Sequence, residues 1–314
     1  MRMVAVIKNK EHPEYGEISI PLPIKNSEYS RTMEMLSSLG IGDVLKKDCQ
    51  IVELMRTFSI MTQLEGTQVN IDELDYLAKR LDGFEVGQEI QFEAVAAAKS
   101  LTSIDEFIDL TFSCDQVTVI HDFSNLAAVG RQHYLNLHGG CACAEDMENL
   151  DGYETALLLI DGGGGIVTPY GVLYDNGMQI QQLYKGGPFP AYLYDACELV
   201  VSIAPVQGQE NTTYLYLPSA TAQLERALQR GGIMDWQIES AKFNPVCLSN
   251  KLAEKLDLQR DSLWELNDMC KAIHHLSTIN RKKIDAVIEY THADTARQIR
   301  QIAENLDEFD FVPN

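Results

Sequence analysis

Apolar residues at Ile71, Leu74, Leu77 and Leu81 recur at helical spacing, which predicts a helix over 70–81 with one buried face. Asp72, Glu73 and Asp75 occupy its start, where carboxylates complement the positive end of the helix dipole, and Lys79 and Arg80 close it. The same pattern returns 192 positions later as SLWELNDMCKAI, Ser262–Ile273. The offset then runs on without a gap. FEAV at 92–95 falls on IDAV at 284–287, SIDEF at 103–107 on TARQI at 295–299, and VTVI at 117–120 on FDFV at 309–312. Helix-start signals repeat with it. Asn70 with Glu73, Ser103 with Glu106, Ser262 with Glu265 and Thr295 with Gln298 all have capping-box spacing, in which each side chain can serve the other's backbone N–H.

Upstream of each helical run the period changes to that of strands. VAVI (4–7) and ISIPLP (18–23) read as a strand pair, followed by a helix near 27–39 and a strand CQIVEL at 49–54. LVVSIA (199–204) and TYLYLP (213–218) repeat that layout, with a helix near 220–230 and a strand DWQIES at 235–240. Between the copies, short apolar runs broken by glycines and an Asn-Gly suggest a β-meander. The expected fold is α+β: a duplicated unit of a small α/β subdomain plus a three-helix subdomain, with a β-rich meander between the copies. Its expected domains are 1–66 (α/β), 67–137 (acidic helical), 138–194 (β-meander), 195–258 (second α/β) and 259–314 (second helical).

Charge sharpens this picture. The chain has 314 residues with 46 acids and 25 bases, a net charge of −21. Nucleic acid and anionic membranes would repel such a chain, so neither is an expected direct partner. The charge is also uneven. Residues 69–115 hold 11 acids and 3 bases, whereas the matched residues 261–307 hold 8 and 6. Residues 132–184 hold 7 acids and no Lys or Arg.

The repeat serves as an internal control, since charges required by the fold should appear in both copies. Glu73 passes by facing Glu265 and is read as a cap with Asn70, beside the second cap of Ser103 and Glu106. Asp72 faces Trp264, Asp75 faces Asn267, Asp82 faces His274, Glu85 faces Ser277, Glu89 faces Arg281, Asp105 faces Arg297 and Asp109 faces Gln301. Glu93 faces Asp285 and keeps its charge. Glu85, Glu89 and Glu93, and likewise Asp105 and Asp109, stand four apart, where like charges repel by a few tenths of a kcal/mol per pair, roughly. The expected partner-binding acidic face is therefore Asp72, Asp75, Asp82, Glu85, Glu89, Glu93, Asp105, Asp109 and Asp115. Within it Asp75, Glu85, Glu89, Glu93, Asp105 and Asp109 are expected to be exposed and dispensable for stability. A line of carboxylates on a rigid fold can approach the charge density of duplex DNA, about one per 1.7 Å of axis, and so compete for a basic groove.

The order of these features resembles the ArdA antirestriction proteins, DNA mimics carried by plasmids and conjugative transposons. The resemblance rests on VAVI with ISIPLPI, CQIVEL, NIDELDYLAKRL, the 88–99 helix, SIDEFIDL and the sequence near HDFSNLAAVGRQHYL, and GGIVTPYGVLYDNG resembles their closing β-hairpin. It covers about residues 1–178, ahead of the second copy at 195–314. It implies inhibition of type I restriction–modification enzymes by occupying their basic DNA-binding groove. It also implies elongated acidic dimers without catalytic residues. Here the expected assembly is a homodimer, or a pseudo-dimer made through the internal repeat.

DGGGG at 161–165 resembles a phosphate hairpin of actin-like and sugar-kinase ATPases, but it lacks companion motifs and a basic residue, so a tight bend is expected. An enzyme binding nucleotide or sugar phosphate there is one alternative; an acidic scaffold or regulatory protein of a mobile element, using the meander as its contact, is another. His133, His138, Cys141 and Cys143 have metal-ligand types without a common structural spacing. No role is assigned to His274–His275. No catalytic residue, metal or cofactor is expected. Seven cysteines without paired spacing, a first segment too short for a signal peptide, and a longest apolar stretch of only Thr155–Ile160 favour the cytoplasm.

Overall fold

The computed structural model describes residues 3–85, 87–204, 212–233 and 241–309. The expected strand at 235–240 and the match at 310–312 lie outside them. The fold is mixed α+β, with small antiparallel sheets. The chain divides into two compact units, 1–24 with 35–185, and 25–34 with 186–314.

In the first unit, β1 (Met3–Asn9) alternates inward and outward residues, so Met3, Ala5, Ile7 and Asn9 are buried. It pairs antiparallel with β2 (Glu17–Leu22), Ala5 opposite Ile20. Helix α1 (Tyr29–Ser38) follows, its first residues grouped with the second unit. Then β3 (Cys49–Met55) pairs with the other edge of β1, and β4 (Gln68–Val69) adds to β3, giving the order β2-β1-β3-β4.

The helical part comprises α2 (Ile71–Asp82), α3 (Gln88–Lys99) and α4 (Ile104–Leu110). Asn70 caps α2 by accepting from the N–H groups of Asp72 and Glu73. Ser103 and Glu106 form a complete capping box on α4. Phe92 and Phe107 meet at the centre, ring centroids 5.8 Å apart, and Phe58 and Phe84 extend this aromatic core.

Strand β5 (Thr118–Ile120) leads to α5 (Leu126–Leu137). The expected meander over 138–194 is mostly not one. It holds two helices, α6 (Ala144–Asn149) and α7 (Gly152–Asp161), and only the hairpin β6 (Ile166–Thr168) and β7 (Gly171–Tyr174). The apolar run TALLLI is too short for its period to be decisive. What decides it is small-residue packing. Gly152 and Ala156, one turn apart, are the buried residues of α7, and Gly130 of α5 lies so close that an added Cβ would sit 1.8 Å from the Gly152 carbonyl oxygen. Strand β7 joins β5 and β6 in a three-stranded sheet, order β5-β7-β6.

In the second unit, β8 (Leu199–Ile203) pairs with β9 (Thr213–Leu217), followed by α8 (Thr221–Arg230) and β10 (Ala241–Pro245), giving the order β10-β8-β9. This is the arrangement of β3, β1 and β2. The Leu–Pro bond after β9, Leu217–Pro218, and the one after β2, Leu22–Pro23, are both cis. Then come α9 (Asn250–Ala253), α10 (Leu263–His274), α11 (Thr278–Thr291) and α12 (Ala296–Glu304). Adding 192 to the bounds of α2 gives those of α10, and the same shift carries α3 into α11 and the start of α4 onto that of α12. Ser262 and Glu265 form a capping box, and Thr295 caps α12. One core joins Leu199, Val201, Leu215, Leu224, Leu266, Ile284 and Ile299.

Candidate functional site

The nine acids of the expected face separate into two groups. Asp72, Asp75 and Asp109 are buried, at 7%, 4% and 6% exposure, and do not belong to a solvent face. The cause lies in α2, where every residue from Ile71 to Ala78 is buried. Its polar side is covered by the chain rather than by water.

Each buried acid whose contacts are resolved has local work. Asp75 Oδ1 accepts the Ile24 N–H at 2.6 Å, and Oδ2 pairs with Lys79 Nζ at 2.8 Å. Burial pushes its carboxyl above the ordinary aspartate value, against the pull of Lys79 and the Ile24 amide. Asp109 Oδ1 accepts the N–H groups of Leu183 and Tyr184 at 3.0 and 2.8 Å. Burial again raises its pKa, and the two amides oppose the rise.

Tyr184 was not singled out from the sequence, yet it is among the largest fully buried side chains. Its hydroxyl donates to Glu73 Oε1 at 2.8 Å. Glu73, expected to be a cap, is thus an anchor for a segment 111 residues away, and Lys47 Nζ lies 3.7 Å from its other oxygen. The same ammonium pairs with Asp105 at 2.8 Å, so Asp105 is half-exposed and neutralised. Glu93 accepts from Ser59 Oγ at 2.8 Å and the Ile60 N–H at 3.3 Å, and Ser59 Oγ also meets the Tyr170 hydroxyl at 2.8 Å. The expectation that Glu93 and Asp105 are freely exposed is corrected by these partners. Glu106 keeps its capping role; the Thr102 and Ser103 amides hold its carboxyl below the ordinary value.

The remaining acids form the exposed set. Glu85, Glu89 and Asp115 are exposed and make no ion pair among the described residues, and Asp82 at the end of α2 is half-buried. A second set accompanies them within the first unit. Glu145, Asp146 and Glu148 on α6, then Asp151, Glu154 and Asp161 around α7, are all exposed, and none makes an ion pair among the described residues. Their signal was present in the sequence as the stretch 132–184 without Lys or Arg.

The weighed motifs have structural uses. Gly163 and Gly164 take φ of +72° and +81°, which only glycine adopts without strain, and carry the chain from the end of α7 into β6. His133 Nδ1 lies 2.9 Å from Thr118 Oγ1, His138 stacks on Tyr134, and Cys143 caps α6 by accepting the Asp146 N–H. No three His, Cys, Asp or Glu among the described residues are arranged to hold a metal ion.

His274, given no role from the sequence, belongs to a buried ion cluster in the second unit. Glu198 is 1% exposed and receives His274 Nδ1 at 2.9 Å and Arg281 in a fork at 2.6 and 2.7 Å. Burial alone would raise its pKa; the hydrogen bonds from Arg281 and His274 outweigh that and hold it below the ordinary value. His274 and Arg281 stand 192 positions after Asp82 and Glu89.

Among the described residues, no helix is long and apolar enough to cross a membrane. No family model, no curated protein and no solved structure matches the chain.

Proposed function

We propose that this chain is a non-enzymatic acidic DNA mimic that occupies the basic DNA-binding groove of a type I restriction–modification enzyme, on a scaffold that arose by duplication. The observation that carries the reading is the set of exposed, unneutralised acids in the first unit. Glu85, Glu89 and Asp115 are accompanied by six exposed acids in and around α6 and α7, none of them in an ion pair among the described residues, and residues 132–184 hold no base. Such a surface would be drawn into a groove whose field already attracts phosphates, and binding would exclude DNA from it. The resemblance to the ArdA order of elements supplies the class of partner. The duplication is supported by the like order of β2-β1-β3 and β9-β8-β10 and by helices that recur at a constant offset.

Competition tests this reading. The chain and a duplex oligonucleotide would be titrated together against a type I methyltransferase core. Mutual displacement, with affinity falling steeply as salt rises, is the expected result. Replacing Glu85, Glu89, Asp115, Glu148 and Glu154 by Gln or Asn should abolish displacement and leave the fold intact with cooperative melting, because exposed charges of this kind change stability by less than about 0.5 kcal/mol each. Binding that DNA cannot displace would overturn groove mimicry and favour the scaffold reading.

A further inference from the structure

The second unit carries three thiols that the function above does not use, Cys197, Cys247 and Cys270. We propose that Cys197 and Cys247 form a reversible dithiol–disulfide pair, a site of oxidative modification that staples the β8 and β10 ends when the chain meets a hydroperoxide.

The end of the sheet brings them near each other. Strands β8 and β10 are antiparallel, and their pairing ends with Leu199 opposite Pro245. Residues 246–248 then turn back over the start of β8. A disulfide spans Cα separations of roughly 4.4–6.8 Å. The backbone stays bound beyond the last strand pair. The Glu198 carbonyl oxygen accepts the N–H groups of Val246, Cys247 and Leu248 at 3.0, 3.3 and 3.2 Å, which fixes Cys247 beside the residue that follows Cys197. Burial, and then the neighbouring Cys247, push the Cys197 thiol up to about 11.

Exposure sets the order of events. Cys247 is exposed, while Cys197 and Cys270 are buried. Oxidation therefore begins at Cys247. Its thiolate attacks one oxygen of the hydroperoxide, the O–O bond breaks, and the alcohol leaves after taking a proton; the sulfur becomes a sulfenic acid. The Cys197 sulfur then attacks the Cys247 sulfur, the S–O bond breaks, and water departs with the Cys197 proton. Two thiols are oxidised by two electrons, and one hydroperoxide is reduced to an alcohol and water. Cys270 sits on α10 with its thiol raised by burial, and has no exposed surface from which to start. The three thiols are not a metal centre, since no such cluster is arranged for one among the described residues.

The test uses the full chain with hydrogen peroxide as the probe. After oxidation, free thiols are alkylated and the chain is digested without reductant. The expected product is a cross-linked peptide pair holding Cys197 and Cys247, lighter by two hydrogens and released by dithiothreitol. It should persist in Cys270→Ser and in a Cys141→Ser/Cys143→Ser variant, and vanish in Cys247→Ser with Cys197 still alkylated after denaturation. Circular dichroism of the unoxidised variants confirms their folding. Failure of the cross-link in folded parent protein, at peroxide sufficient to oxidise the exposed Cys141 and Cys143, would overturn the proposal. So would predominant pairing of Cys197 with Cys270.

Discussion

Asp75 on α2 and Asn267 on α10 hold the same kind of backbone amide, the one that follows a cis proline. Asp75 Oδ1 accepts from Ile24 at 2.6 Å, and Asn267 Oδ1 accepts from Ser219 at 2.9 Å. Asn267 also donates to the Ser219 carbonyl at 3.0 Å. The charge differs between the two positions, but the acceptor does not. Asp75→Asn should therefore be mild, losing mainly the Lys79 pair, whereas Asp75→Ala strands a buried amide and should cost about 1–3 kcal/mol. Melting temperatures of the two variants check this; equal losses would show that the charge, not the acceptor, matters.

Asp109 and Tyr184 make a second test of position against charge. Asp109→Gln, the residue of the second copy, is expected to destabilise by about 1–3 kcal/mol, because two buried amides lose an acceptor held at the right reach. Tyr184→Phe removes the hydroxyl from Glu73 and should cost about 1.5–3 kcal/mol, the range for hydrogen bonds to charged groups. Urea midpoints for both, and for the pair with Glu73→Gln, would report the coupling. Tyr184→Phe and Glu73→Gln should be non-additive.

Acidification should weaken the second unit through Glu198. Its folded pKa lies below the ordinary glutamate value of about 4.3, so its stabilisation is complete above that pH and is lost as pH falls through the folded value. Arg281→Met removes the fork and leaves the buried carboxylate only its bond with His274, with an expected loss of about 1.5–3 kcal/mol. In that variant the Glu198 pKa should rise, and the acid midpoint of unfolding should move to higher pH. Circular dichroism against pH measures both.

Gly130 and Gly152 set how closely α5 and α7 approach. Gly130→Ala forces a Cβ onto the Gly152 carbonyl and should cost more than about 3 kcal/mol or separate the two helices, while Gly163→Ala meets open space and carries only the penalty of its left-handed backbone, about 1 kcal/mol. Hydrogen exchange of the α7 amides distinguishes the two outcomes.

The elements with long, clean periods were legible in the sequence: β1, β3, α2, α3 and α10 lie where alternation or helical spacing put them, and the Ser103 and Ser262 boxes form as written. The failures share a cause. Comparing copies position by position treats a change of charge as a loss of role, yet Asp75 and Asn267 keep one hydrogen bond through different side chains. Glu93 and Asp285, one of the pairs that kept its charge, does repeat its contact: Glu93 accepts from Ser59 Oγ, and Asp285 from Ser249 Oγ at 2.9 Å. Asp109 could not be read at all this way, since its partners Leu183 and Tyr184 lie in a segment that the comparison did not align. Helix α7 was hidden because its packing runs through Gly152 and Ala156 rather than through its leucines.

The acid-only stretch around α6 and α7 makes that part of the chain sensitive to the ions around it. Its carboxylates make no ion pair among the described residues and have no base within residues 132–184, so mobile counterions supply much of the balance. The screening length shrinks from about 30 Å at 0.01 M salt to about 8 Å at 0.15 M, which separates neighbouring carboxylates electrostatically. The α5–α7 hairpin should accordingly tighten as salt is added, seen as slower amide exchange. Binding to a basic groove should weaken over the same range. A surface of this kind is steadiest in the solutions where it holds its partner least, and the ionic strength of its surroundings then acts as its tuning variable.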